Sequence, residues 1–302
     1  MPMTPPALLL LNPRAARGRA AALAGELRRW LAEHSPSTPL LAADDPAVAR
    51  AALRALPAGS RVLLVGGDGT LHQMLPALLD GGHTLGLVPF GSGNDTARAL
   101  GLHRLPWREA LAHALTAPAT RMDLGLASAD GWQEPFASSL SIGFDAAVTA
   151  RALRAPARLS GMPRYLWATF GEIGALRQHT LRLACDGEPL HDGATLFAAV
   201  LNTRSYGSGM PAVPHASIND GRLDLLVAGR FGRIGTLAML PLLLAGVHLH
   251  HPRVKTRPFS VLRVESEALL PLAADGELLP AARTLEVRVL PGALSVVARR
   301  PG

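Results

Sequence analysis

Over the first third of the chain, short apolar runs alternate with longer amphipathic stretches. ALLLLN from Ala7 is followed by RAAALAGELRRWLAEH from Arg19, TPLLAA from Thr38, DPAVARAALRAL from Asp45 and RVLLVGG from Arg61. The hydrophobic period switches repeatedly between strand and helix up to about residue 116, which predicts βαβ units on a parallel sheet with helices on both faces. After MDLGLAS (122–128) the texture changes to strands joined by Asp-Gly turns, in ACDGEPL, NDGRLDLL and AADGELLP, with helical insertions near 142–177 and 231–246. These features predict a second, mostly antiparallel region. A boundary near residue 124 gives an α/β domain over 1–123 and a β-rich domain over 124–302, with roughly the last 10 residues packing back on the first.

The greasiest stretch, IGTLAMLPLLLAGVHLH from Ile234, is broken by Pro241 and Gly246 and falls short of the roughly 20 residues a spanning helix needs. The opening MPMTPPALLLLNPRAARG has no charged n-region and no cleavage-like site, so it reads as a first strand and not as a signal peptide.

Composition narrows the chemistry. With 302 residues and 48% apolar content the chain can build two real cores. Cys185 is the single cysteine, so no intrachain disulfide or cysteine cage for a metal can form, which suits a cytoplasmic setting. The net charge of +7 is almost all arginine, with Lys255 the one lysine. That balance suits anionic partners such as nucleotide phosphates or an acidic membrane face, although a GC-rich genome produces the same bias. Aromatic content of 4% and the lack of an aromatic-interleaved basic tract argue against nucleic acid as a partner.

Three loops leave the carboxyl ends of predicted parallel strands, where open α/β sheets bind ligands. They are NPRAARG after Leu11, GGDGT after Val65 and PFGSGND after Val88. Gly66, Gly67 and Gly69 can form a nest of N–H groups for anionic oxygens, and Thr70 begins a helix whose positive end adds to the attraction. Asp68 can hold Mg²⁺, accept a proton from an attacking hydroxyl, or cap a helix. Gly91 and Gly93 relieve crowding in the third loop, where Ser92, Asn94 and Asp95 offer capping groups. GxxxxGK[ST] occurs nowhere, which excludes a P-loop.

GGDGT followed about twenty residues later by PFGSGND resembles the diacylglycerol kinase catalytic domain family, which includes sphingosine, ceramide and bacterial lipid kinases. Asn12-Pro13, SIGFDA (141–146), Asn202 with YGSGM (206–210), Pro214 and DGRLD (220–224), and DGE (275–277) extend the likeness. The resemblance implies a phosphofructokinase- or NAD kinase-like α/β domain, a C-terminal antiparallel β-sandwich, and ATP lying between them. It implies ATP- and Mg²⁺-dependent phosphorylation of a lipid alcohol by a cytoplasmic enzyme peripheral at an anionic membrane surface, with no protein partner evident.

By the same resemblance, Asn12, Gly66, Gly67, Asp68, Gly69, Thr70, Gly91, Ser92, Gly93 and Asn94 bind the nucleotide. Asp68, Asp275 and Glu277 are catalytic, Asp95, Asp145 and Arg154 meet the lipid, and Asp220 holds a structural Mg²⁺. The family carries glycine where this chain has Ala16. Asp-Gly is also the commonest hairpin signal, and a second DGE stands at 186–188, so one copy can be only a turn; Asp220 can equally be a turn residue. NAD kinase shares GGDGT without PFGSGND or the late DGE, and an idle lipid- or nucleotide-binding protein would not need Asp68, Asp275 and Glu277. The segment 151–178 joins Arg151, Arg154, Arg158 and Arg164 to Trp167 and Phe170, as an interfacial helix or as one buried in the second domain.

Overall fold

Leu8, Leu9, Leu10 and Leu11 are all buried, which a strand achieves only inside a sheet covered on both faces. The computed structural model describes residues 7–156, 158–159 and 161–299. The chain divides into two units, Met1–Met122 with Gly292–Gly302, and Asp123–Pro291.

In the first unit the order along the chain is β1 (Ala7–Leu11), α1 (Ala24–His34), β2 (Leu40–Ala42), α2 (Pro46–Arg54), β3 (Arg61–Gly66), α3 (Asp68–Asp80), β4 (Thr84–Pro89), α4 (Asp95–Ala99) and α5 (Trp107–Thr116). The strands run parallel in the order β2-β1-β3-β4, and Ser295 and Val296 add a further parallel pairing with Thr84 and Leu85. Leu27 and Leu31, one turn apart on α1, pack with Leu9, Leu11, Leu63, Val65 and Leu111. Asp45 caps α2 by accepting from Ala47 N at 2.8 Å, with Pro46 at the first helical position. Register sets Leu11 beside Val65 and Val65 beside Val88, so Asn12, Gly66 and Pro89 leave the sheet side by side.

The second unit contains β5 (Ala119–Ala129), β6 (Trp132–Phe136), β7 (Ser139–Gly143), α6 (Phe144–Leu153), α7 (Gly161–Gly174), β8 (His179–Cys185), β9 (Glu188–Thr195), β10 (Phe197–Leu201), β11 (Leu223–Ala228), α8 (Arg233–Leu244), β12 (Val254–Phe259), β13 (Val261–Ala274) and β14 (Glu277–Val297), the ends of β5 and β14 lying in the first. It is an antiparallel β-sandwich. β13 pairs with β8 through Leu262–Glu265 and with β7 through Leu272–Ala274, and a register shift between Glu265 and Leu270 bends it from one sheet to the other.

β10 is apolar throughout, and β11 is apolar but for the buried Asp224, which His215 meets at 3.3 Å, because both of their faces are covered. Ala198, Val200, Leu225 and Val227 point into the layer shared with Phe136, Ile142 and Phe259, whereas Ala199, Leu201, Leu226 and Ala228 face the layer of Phe144, Val148 and Phe231. Burial pushes the Cys185 thiol up to about 11, leaving it an inert core side chain. His248 is also a core residue, with Nε2 2.8 Å from the Ala212 carbonyl.

Between β1 and α1 three consecutive residues are left-handed: Ala16 (φ 48°), Arg17 (φ 63°) and Gly18 (φ 83°). The loop adopts this backbone with an alanine at position 16, and a side chain there costs about 1–2 kcal/mol. Ala16→Gly should therefore stabilise the protein by roughly 0.5–1 kcal/mol, net of the entropy glycine adds to the unfolded chain. The check is the denaturant midpoint at constant m, and a midpoint that stays or falls would contradict it.

Candidate active site

The first unit brings its three loops together at the carboxyl ends of β1, β3 and β4. Asn12 Nδ2 donates to Thr70 Oγ1 at 2.9 Å, while its Oδ1 accepts from Arg14 N. Phe90 N donates to Gly66 O at 2.8 Å, which continues the β3–β4 pairing into the loops. Beyond that bond the backbones nearly touch: a Cβ added to Gly67 would lie 2.8 Å from Gly91 Cα, and one on Gly91 would lie 2.6 Å from Gly67 Cα. Asn94, itself left-handed at φ 57°, donates Nδ2 to Gly91 O at 2.9 Å.

Asp68 ties the second loop to the third. Its Oδ2 accepts from Asp95 N and its Oδ1 from Thr96 N, each at 3.0 Å. It is a cap, but of α4, 27 residues away, and not of its own helix. The N-cap of α3 is Gly67, which brings no side chain to close that amino end, so the helix offers its positive pole to an anion. Gly66, Gly67, Gly69 and Thr70 surround that pole with partly buried or buried backbone, Ser92 is exposed between Gly91 and Gly93, and Asp95 is buried.

In the second unit Asp275 and Gly276 form the two-residue turn of the β13–β14 hairpin, at φ 49° and 88°. The buried Asp275 carboxylate accepts from Ala137 N (2.8 Å), Ser138 N (2.7 Å) and Ser139 N (3.1 Å), and so orders the entry to β7. Glu277 follows, half-buried. The other copy is built alike, with Asp186 and Gly187 at φ 52° and 86° and Asp186 Oδ1 accepting from Ser260 N and Val261 N. Both copies are hairpin turns, and they differ in burial: Asp275 lies in the interior and Asp186 on the surface. Asp220 is exposed and closes its own turn, accepting from Arg222 N at 3.0 Å.

Asp145 starts α6 beneath a cavity. Ser141 Oγ donates to its Oδ2 at 2.5 Å and Tyr165 OH to its Oδ1 at 2.8 Å, with Tyr206 a third hydroxyl partner. Burial raises the carboxyl above its ordinary range, and the three hydroxyls pull it part of the way back. The Tyr165 phenol is pushed well up, by burial first and then by Asp145. Phe144, Leu196, Phe231, Met239, Leu240 and Leu243 are among the cavity walls, and Asp145 is the one carboxylate there. The cavity holds about 50 Å³, room for roughly 3 or 4 waters, so a hydrocarbon chain enters only if the walls move.

Arg154 ends α6 at the surface and does not line the cavity. Arg151 pairs with Glu172 at 2.5 Å, and Arg164 Nε donates to Ala152 O at 2.5 Å. Two of the five arginines in 151–178 thus fasten α6 to α7.

Sequence reasoning did not foresee that Tyr165 and Tyr206, the latter the first residue of YGSGM, reach Asp145 from 20 and 61 residues away, and it missed Asp123, whose Oδ2 accepts from Gly221 N at 2.7 Å. Asn202, quoted within a longer motif, donates Nδ2 to the carbonyls of Asp123 and Ala137. None of these pairings has a local pattern.

Comparison with known proteins gives this geometry a family. Residues 6–127 match the diacylglycerol kinase catalytic domain, and residues 138–298 match the YegS C-terminal NAD kinase beta sandwich-like domain. A diacylglycerol kinase of Mycobacterium tuberculosis is 33% identical over 80% of this chain and 77% of its own length. In fold, the chain is similar to a diacylglycerol kinase from Bacillus anthracis (TM-score 0.70, 17% identity, 99% of this chain and 98% of that one). It is also similar to an Archaeoglobus fulgidus NAD kinase solved with ATP (TM-score 0.57, 12% identity, 97% and 94%). With both domains matched in order and a relative this similar over most of its length, the chain belongs to the diacylglycerol kinase family of lipid kinases.

Proposed function

We propose that the protein transfers the γ-phosphoryl group of ATP, with Mg²⁺, to the hydroxyl of a lipid alcohol. The observation that carries the acceptor class is the cavity of the second unit, apolar on its walls with Asp145 as its one carboxylate. A lipid alcohol matches that lining, because a polar headgroup donor other than the reacting hydroxyl can reach Asp145 while the chain stays out of water.

In-line phosphoryl transfer asks a protein mainly for positioning and charge neutralisation. The close approach of Gly67 and Gly91, together with the open amino end of α3, provides backbone N–H groups and a positive pole for phosphate oxygens. Asp68 keeps the two loops in register through its two amide bonds, and as a carboxylate beside the phosphate loops it is the candidate to take a hydroxyl proton or hold a cation. Among the described residues no three histidine, cysteine or acidic side chains converge. A Mg²⁺ ion would therefore rest on one or two carboxylates, Asp68 first, and on phosphate oxygens, as this cation commonly does. When bound it offsets phosphate charge. Asp275 acts as a positioning residue, since its carboxylate holds three amides, and Glu277 is the neighbouring candidate for contact with the reacting groups.

Incubation with γ-labelled ATP, Mg²⁺ and a panel of diacylglycerol, a sphingoid base, phosphatidylglycerol and NAD should label a lipid. Asp68→Asn should lower kcat/KM by at least about 100-fold, losing both the charge and one amide acceptor. Label in NAD alone, or activity within about threefold of wild type for Asp68→Asn, a barrier change near 0.7 kcal/mol, would contradict the proposal.

Asp145→Asn separates function from folding. A carboxyl raised in the folded state favours folding while protonated, and that advantage is lost as pH rises past the ordinary carboxylate range. The asparagine variant, with no charge to bury, should gain stability relative to wild type as pH rises above the ordinary carboxylate value of about 4, while its lipid phosphorylation falls. A stability difference that does not change with pH would show that Asp145 does not carry the burial cost assigned to it.

A further inference from the structure

α8 is apolar on every side. Thr236, Met239, Leu240 and Leu243 turn inward to the cavity, whereas Ile234 (86% exposed), Leu237 (47% exposed), Leu242 and Leu244 turn out to solvent. No charged residue stands between Arg233 and His248. α7, packed against α8, adds Trp167 (40% exposed) and Phe170 (54% exposed). A helix on the surface of a water-soluble protein carries a polar outer face, and this one does not.

The one acidic residue of α7 and α8, Glu172, is paired with Arg151, and the charge in the flanking sequence is otherwise positive. No aspartate or glutamate occurs over 225–264, which contains Arg230, Arg233, Arg253 and Lys255, or over 146–171, which contains Arg154 and Arg158. A second copy of the chain would bring the same cations against them across a symmetric interface. A bilayer with anionic headgroups offers an apolar layer for the leucines and negative charge for the arginines. At 12 residues α8 cannot cross that layer, and no helix among the described residues is long and apolar enough to do so.

We infer that the outer face of α8, flanked by Trp167 and Phe170, docks flat on an anionic lipid bilayer and seats Ile234 and Leu237 at the acyl boundary. Docking acts on a wall of the cavity, because the opposite face of the same helix lines it. The inference rests on the lipid acceptor proposed above, but its test needs neither ATP nor turnover.

The full chain is sedimented with vesicles of phosphatidylcholine alone and of phosphatidylcholine mixed with phosphatidylglycerol. Wild type should bind the mixed vesicles and the double variant Ile234→Ser/Leu237→Ser at least about tenfold more weakly, with Val48→Ser, an exposed apolar position on α2, unchanged. The single variant Ile234→Ser, at the most exposed of these positions, guards against misfolding and should weaken binding in the same direction. Equal vesicle binding by wild type and the Ile234 variants overturns the inference. So does a wild-type dimer that ignores vesicles and that Ile234→Ser dissociates, since the face would then join two copies. Loss of binding in the variants without lipid phosphorylation by wild type would uphold docking and remove the substrate reading.

Discussion

The first unit depends on two stretches of backbone that meet at van der Waals range. Gly67 and Gly91 leave no room between them for a Cβ, and Asp68 locks the approach by accepting from the amides of Asp95 and Thr96. Strand register makes the meeting possible: β3 and β4 end together, and Phe90 N still reaches Gly66 O after the sheet stops. A side chain at either glycine would force the loops apart and with them the amides at the start of α3. The catalytic candidate is therefore also a structural element, and its charge and its geometry are not separable by inspection of the motif alone.

Much of this architecture is legible in the sequence because it is local. ALLLLN and RVLLVGG are short, continuous and apolar, which suits strands covered on both faces, and the alternation with amphipathic stretches produces the parallel sheet. Asp186-Gly187 and Asp275-Gly276 are turns because both residues of such a loop need positive φ. What stays hidden is where carboxylates point. GGDGT gives no sign that Asp68 caps a helix 27 residues on, and DGE gives none that Asp275 serves the amides of 137–139. The spacing of Arg151, Arg154 and Arg158 suggests one face, yet Arg151 is held by Glu172, 21 residues away. The greasy stretch from Ile234 stands out by composition, but only packing tells which of its side chains face the core.

The second unit handles polarity in the opposite manner to the first. The first exposes backbone N–H groups by removing side chains, whereas the second buries one carboxylate under hydroxyls and surrounds it with hydrocarbon. Burying Asp145 costs stability, and three hydroxyl donors offset part of that cost. On the proposed function, such a site takes a ligand that brings a donor and an apolar body together. With the N-terminal phosphate loops of the diacylglycerol kinase catalytic domain on the same chain, this pairing of environments is the physical content of the lipid kinase reading.

On the proposed function, the contact between Gly67 and Gly91 creates the nucleotide cradle, and calorimetric titration of ATP into Gly91→Ala tests this most directly. The added methyl has no space 2.6 Å from Gly67 Cα, so ATP affinity should fall by at least about tenfold, a loss of roughly 1.4 kcal/mol. Gly25→Ala, on α1 with open space around it, should bind as wild type does. Binding by Gly91→Ala within about threefold of wild type, near 0.7 kcal/mol, would contradict the account and place the nucleotide elsewhere.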